Sequence, residues 1–98
     1  MHIMNESKLI IYGAYGYSGE LMVREAIKQG IKPVVAGRIA EKLLPIANEL
    51  GLEYRAFSVK DAAGYLQDVT VLLNCAGPFS ATAEALAKAC LSQKVHYL

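Results

Sequence analysis

The stretch that most limits what this chain can fold into is Gly13-Ala14-Tyr15-Gly16-Tyr17-Ser18-Gly19, three glycines spaced G-x-x-G-x-x-G. It lies between a short apolar run, Leu9 to Tyr12, and a stretch from Glu20 to Gln29 that reads as a helix. A continuous apolar run suits a strand buried on both faces of a parallel sheet. The three glycines then have separate tasks. Gly13 permits a sharp turn off the strand, Gly16 lets backbone approach a phosphate group closely, and Gly19 allows tight packing of the helix. Amides left free at the helix start face such an anion, and the helix dipole favours its charge. Ser18 either donates its hydroxyl to a phosphate oxygen or caps the helix.

The same alternation continues along the chain. In the first helix Leu21, Met22, Ala26 and Ile27 are available to the sheet, Lys28 sits in the last turn, and Gly30 takes the left-handed position. Pro33 to Ala36 is a second strand, with proline where a missing donor costs least. Ile39 to Leu50 is a second helix closed by Gly51, and Pro45 inside it should kink it or begin a new turn. Tyr54 to Phe57 is a short third strand. Asp61 caps a weak helix to Leu66, weakened by Gly64. Val69 to Asn74 is a β-branched fourth strand. Gly77-Pro78 breaks the chain, Ser80 is a candidate cap, Thr82 to Leu91 is an alanine-rich helix, and Val95 to Leu98 begins a fifth strand. Strands separated by helices imply βαβ units and a doubly wound α/β parallel sheet of about five strands, within one domain over residues 1–98.

Composition removes several classes of function. Ten basic and nine acidic residues are spread along the chain, with no basic block of the kind nucleic-acid or anionic-membrane binders carry. Cys75 and Cys90 make neither a disulfide framework nor a metal pair, and read as reduced, packed thiols of a cytoplasmic protein. His2 and His96 share no ligand spacing with them. Polar residues at 5–8 precede any apolar run, so the start does not read as a signal peptide, and no stretch approaches the length of a membrane span.

Two further segments bear on the ligand. A site that prefers NAD usually carries Asp or Glu at the end of the second strand, about 20 residues past the glycines, to bond the ribose 2′-hydroxyl. Here that place holds Ala36-Gly37-Arg38. A guanidinium grips a 2′-phosphate in bidentate fashion, and the missing carboxylate removes the repulsion that would reject it. NADP is therefore expected over NAD. Asn74-Cys75-Ala76-Gly77-Pro78-Phe79 follows the fourth strand, beside the expected reversal of strand order, where ligands of open α/β sheets lie. Ala76 and Gly77 leave room for the dinucleotide and Pro78 fixes the backbone beneath its nicotinamide end. Asn74 either serves that site or bonds local backbone. Cys75 has no histidine placed to activate it and reads as packing.

These segments together resemble the saccharopine dehydrogenase-like reductases, a Rossmann family that includes enzymes of lysine metabolism. The glycine turn, Ala36-Gly37-Arg38 and Asn74-Cys75-Ala76-Gly77-Pro78-Phe79 carry the likeness, supported by Ala89-Cys90 and His96-Tyr97-Leu98 near the end. Two departures stand out: Thr82 and Ala83 occupy a stretch where members often have glycine, and members continue into a sixth strand and a substrate-binding domain. The resemblance implies an N-terminal cofactor half, truncated before the sixth strand. Its full-length protein would move hydride between nicotinamide and a carbonyl or imine of a small-molecule substrate. A non-catalytic module sensing NADP is the alternative. The residues assigned to cofactor binding are Gly13, Tyr15, Gly16, Tyr17, Ser18, Gly19, Arg38, Ala76, Gly77 and Pro78, with none assigned to catalysis. Charged residues are only 19% of the chain, below the roughly 25% of typical domains. Self-association through the face left by the missing part is therefore expected.

Overall fold

The protein is described by a computed structural model covering residues 8–76 and 80–98. Five strands form one sheet: β1 (Leu9–Tyr12), β2 (Val34–Gly37), β3 (Tyr54–Ala56), β4 (Val71–Asn74) and β5 (His96–Tyr97). Their spatial order is β3-β2-β1-β4-β5, and every neighbouring pair is parallel. The chain thus moves outward from β1 in one direction through β3, then returns to lay β4 on the other side of β1. That reversal sits between β1 and β4, as the segment order implied.

The apolar run of β1 is explained by burial on two sides. Successive side chains of a strand point to opposite faces. Ile10 and Tyr12 enter one cluster with Val34, Ala36, Phe57 and Leu72. Ile11 enters the other with Val35, Val23, Leu43 and Ile46. Helices α1 (Tyr17–Lys28) and α2 (Ala40–Leu50) cover the second cluster. Helix α3 (Ser80–Gln93) and a 3-10 segment (Val59–Tyr65) cover the first, through Leu86, Ala89, Cys90 and Ala62. Helices on both faces make the sheet doubly wound.

Several local expectations need correction. Helix α1 begins at Tyr17, three residues before Glu20, with Gly16 as its cap residue in extended geometry. Its buried positions are Gly19, Val23 and Ala26, while Leu21 and Met22 are exposed. The phase of the helix is set by Gly19, which must face the turn, and Val23 follows four residues later on the same face. Pro45 lies within α2, and the helix continues through it to Leu50. Ser58, not Asp61, is the cap residue of the 3-10 segment, and its hydroxyl donates to the Asp61 carboxylate at 3.1 Å. Gly30 and Gly51 both end helices with positive φ, +85° and +66°, as their positions indicated.

Candidate functional site

The carboxyl ends of β1, β2, β3 and β4 are tied together by backbone hydrogen bonds. Gly13 N–H and Ala14 N–H both donate to the Ala36 carbonyl, at 2.8 and 3.1 Å, which joins the glycine turn to the end of β2. Phe57 N–H donates to the Gly37 carbonyl at 2.9 Å, and Cys75 N–H to the Tyr12 carbonyl at 2.8 Å. The buried Tyr12 hydroxyl donates to the Phe57 carbonyl at 2.8 Å. Burial pushes the Tyr12 phenol up from its ordinary value, and the charge of Arg38 opposes that shift. These bonds hold the four loops that follow β1, β2, β3 and β4 around one cleft of about 480 Å³.

Glycine is required in this scaffold by backbone contact. Gly13 has φ +84°, and a Cβ there would sit 2.6 Å from the Ala76 backbone. The turn after β1 and the loop after β4 therefore touch. A Cβ on Gly19 would lie 2.0 Å from the Gly13 carbonyl oxygen, so this glycine packs α1 against the turn itself. Gly16 is different: among the described residues its Cβ would meet only that oxygen, at 3.5 Å, an ordinary contact. A Cβ on Gly37 would strike the Tyr15 ring at 2.6 Å. The ring thus lies over the end of β2, and the Lys42 ammonium stands 5.6 Å from its centroid.

The cleft brings together Gly13, Tyr15, Gly16, Arg38 and Ala76. Tyr17, Ser18 and Gly19 form the first turn of α1 beside it; the Tyr17 side chain is exposed and Ser18 makes no cap hydrogen bond. Gly77 and Pro78 lie outside the described residues. Gly16 N–H donates to the Gly13 carbonyl at 3.1 Å. The N–H groups of Tyr15, Tyr17, Ser18 and Gly19 have no acceptor among the described residues. Three successive free donors in the first turn of a helix, with a fourth just before its cap, beside a cleft are the arrangement that receives a phosphate anion.

Other lining residues were not identified from sequence. Tyr12, Gly37, Cys75 and Thr82 line the cleft, as do Ser58, Val59 and Lys60 from the start of the 3-10 segment. Cys75 is partly buried and burial pushes its thiol up, away from the thiolate a nucleophile needs. Asn74 bonds local groups: its Oδ1 accepts from Ala76 N–H at 2.9 Å, and its Nδ2 donates to the Tyr97 hydroxyl at 3.0 Å. It shapes the loop rather than facing the cleft. Among the described residues no carboxylate lines the cleft, and its charged groups are Arg38 and Lys60. Among the described residues, no three His, Cys, Asp or Glu side chains gather as metal ligands, and no helix is long and apolar enough to cross a membrane.

Three likenesses to known proteins accompany this geometry. A saccharopine dehydrogenase-like oxidoreductase of Bos taurus is 26% identical over 105 residues, covering 85% of this chain and 24% of the relative. The chain thus spans about a quarter of that relative's length. The apo saccharopine dehydrogenase (L-Glu forming) of Saccharomyces cerevisiae superposes with a TM-score of 0.79 at 17% identity, over 93% of this chain and 21% of that one. A UDP-glucose-4-epimerase from Stenotrophomonas maltophila with bound NAD superposes with a TM-score of 0.73 at 18% identity, over 91% and 34%. At such identities the two structures speak for the fold alone. The sequence profile of the saccharopine dehydrogenase NADP binding domain matches residues 9–98, and the chain belongs to that family.

Proposed function

We propose that this domain binds NADP(H) in preference to NAD(H), with the pyrophosphate over the start of α1 and the 2′-phosphate at Arg38. The observation that carries the preference is the end of β2: Arg38 lines the cleft, and among the described residues no carboxylate does. A carboxylate there would hydrogen-bond a ribose diol and repel a phosphate; a guanidinium does the reverse. The unpaired amides of Tyr15, Tyr17, Ser18 and Gly19 serve the pyrophosphate, Tyr15 and Gly16 form the floor, and Ala76 lines the passage toward the nicotinamide, to which the sequence also assigns Gly77 and Pro78.

In a longer protein of the family's kind, the bound nicotinamide supplies hydride chemistry toward a carbonyl or imine, and this domain positions it. Within the described cleft the chain's own groups bind and orient. Burial disfavours the Cys75 thiolate, and no nucleophilic role is assigned to it.

Calorimetric titration of the protein with NADPH and NADH tests the reading. NADPH should bind at least about tenfold more tightly, a difference near 1.4 kcal/mol, and Arg38→Met should erase most of that gap. Tighter NADH binding by the unsubstituted protein overturns the assignment. Self-association through the unpaired edge of β5 is proposed as a separate property. Leu91 and Leu98 near that edge are 79% and 69% exposed. A monomer by light scattering at about millimolar protein refutes it.

A further inference from the structure

We propose that Lys60 is a second specificity-determining residue, holding the 2′-phosphate together with Arg38. The inference rests on the cofactor reading above and extends it to a residue 22 positions further along the chain. Arg38 follows β2 and Lys60 follows β3, and these strands are neighbours in the sheet. Both residues line the same cleft, both are exposed, and neither forms an ion pair among the described residues.

Several other cations are engaged, and Lys32, Lys42 and Lys94, which form no ion pair among the described residues, do not line the cleft. Arg24 pairs with Glu20 and Glu49, Arg55 with Glu53 and Asp68, and Lys8 with Asp68. The acid next to Lys60, Asp61, accepts the Ser58 hydroxyl. Two free cations facing one cavity without a carboxylate would repel each other, and an anion bound between them relieves that repulsion. A phosphate monoester carries about −1.5 to −2 charges at neutral pH, more than one guanidinium neutralises. Arginine supplies the planar fork that fixes orientation, and lysine supplies a flexible point charge that follows the phosphate. The backbone that presents Lys60 is itself fixed, because Phe57 N–H is bonded to the Gly37 carbonyl one residue before Arg38.

The test separates the 2′-phosphate from the rest of the ligand. Adenosine 2′,5′-bisphosphate and adenosine 5′-monophosphate are titrated against the unsubstituted protein, Lys60→Met and Lys60→Arg. Lys60→Met should weaken the bisphosphate about five- to tenfold and leave the monophosphate unchanged, while Lys60→Arg restores most of the affinity. The dependence of bisphosphate binding on salt should also flatten in Lys60→Met. Unchanged bisphosphate binding by Lys60→Met overturns the role of Lys60 and leaves the cofactor reading standing. Equal weakening of both nucleotides shows a general contact and likewise overturns it. Absence of any preference for the bisphosphate in the unsubstituted protein removes both proposals together. Thermal unfolding of each variant confirms that the comparison is made on folded protein.

Discussion

Two glycines of one turn should respond oppositely to the same added methyl group. Gly19→Ala places a Cβ 2.0 Å from the Gly13 carbonyl oxygen, with Gly13 C at 2.8 Å and Ala14 Cα at 2.9 Å. A carbon–oxygen contact relaxes only beyond about 3.3 Å, so turn and helix must separate by about 1.3 Å. The turn resists, because Gly13 N–H and Ala14 N–H are bonded to the Ala36 carbonyl and Gly16 N–H to the Gly13 carbonyl. Overpacking of this kind costs about 1–3 kcal/mol, offset by at most about 1 kcal/mol from the better helix propensity of alanine. A net loss near 2 kcal/mol lowers the unfolding midpoint by about 8–16 °C in a domain of this size. Gly16→Ala meets a single neighbour among the described residues, at 3.5 Å, with φ −78° and ψ 169° that alanine adopts freely. Its stability should change by less than about 1 kcal/mol. Its Cβ nevertheless enters the floor where backbone must meet the pyrophosphate, and NADPH affinity should fall at least about tenfold. Thermal unfolding by circular dichroism reads the first quantity. Titration followed by NADPH fluorescence reads the second, undisturbed by tryptophan, which the chain lacks. A Gly16→Ala protein that binds NADPH normally, or a Gly19→Ala protein as stable as the parent, refutes the reasoning.

Two further outcomes follow from the charged and thiol groups. Hydrogen bonds from Arg55 hold the Asp68 carboxyl well below its ordinary value, with Lys8 adding to the effect and burial opposing it. A depressed carboxyl stabilises the fold above its unfolded value near pH 3.9 and loses that contribution as pH falls below it. Acid unfolding below about pH 4 should therefore be less steep in Asp68→Asn. The effect should stay within about 1 kcal/mol, because the Asp68 side chain is 52% exposed and screened; an unchanged acid profile contradicts this. Burial pushes both thiols up. At pH 7.5 a disulfide reagent should react slowly with Cys75, more slowly still with NADPH bound, and with the fully buried Cys90 only on unfolding. Rapid labelling of Cys90 in the folded protein contradicts the placement of α3.

How much of this was legible in the sequence depended on distance along the chain. The run Leu9 to Tyr12 announced its strand because both faces of β1 are buried, and the reversal beside it followed from counting strands and helices. The start of α1 was misplaced because Tyr17-Ser18-Gly19 reads as loop by propensity. The hydrogen bonds of the turn nevertheless bring the chain into helix immediately after Gly16. The exposed Leu21 and Met22 show the same limit: apolar residues on two adjoining faces do not say which face is inward, and the Gly19 contact decides it. Arg38 was legible because the end of β2 is reached directly from the glycine turn. Ser58, Val59 and Lys60 were not, since only the parallel pairing of β3 with β2 carries them to the same cleft. The signal that marks them is positional: the residues just past the third strand share the sheet edge with those just past the second. For Asn74 the sequence left two readings, the site or local backbone; the Ala76 N–H bond at 2.9 Å decides for the backbone, and the Tyr97 hydroxyl at 3.0 Å was out of reach of sequence because only β5 brings it there.

The most direct measurement is a set of backbone amide spectra of ¹⁵N-labelled protein recorded during addition of NADPH. If phosphate oxygens accept from the unpaired donors, the Tyr15, Tyr17, Ser18 and Gly19 amide protons should move downfield, and Gly16, already bonded to the Gly13 carbonyl, should move least. Saturating NADPH that shifts resonances elsewhere while leaving those four in place would contradict the account.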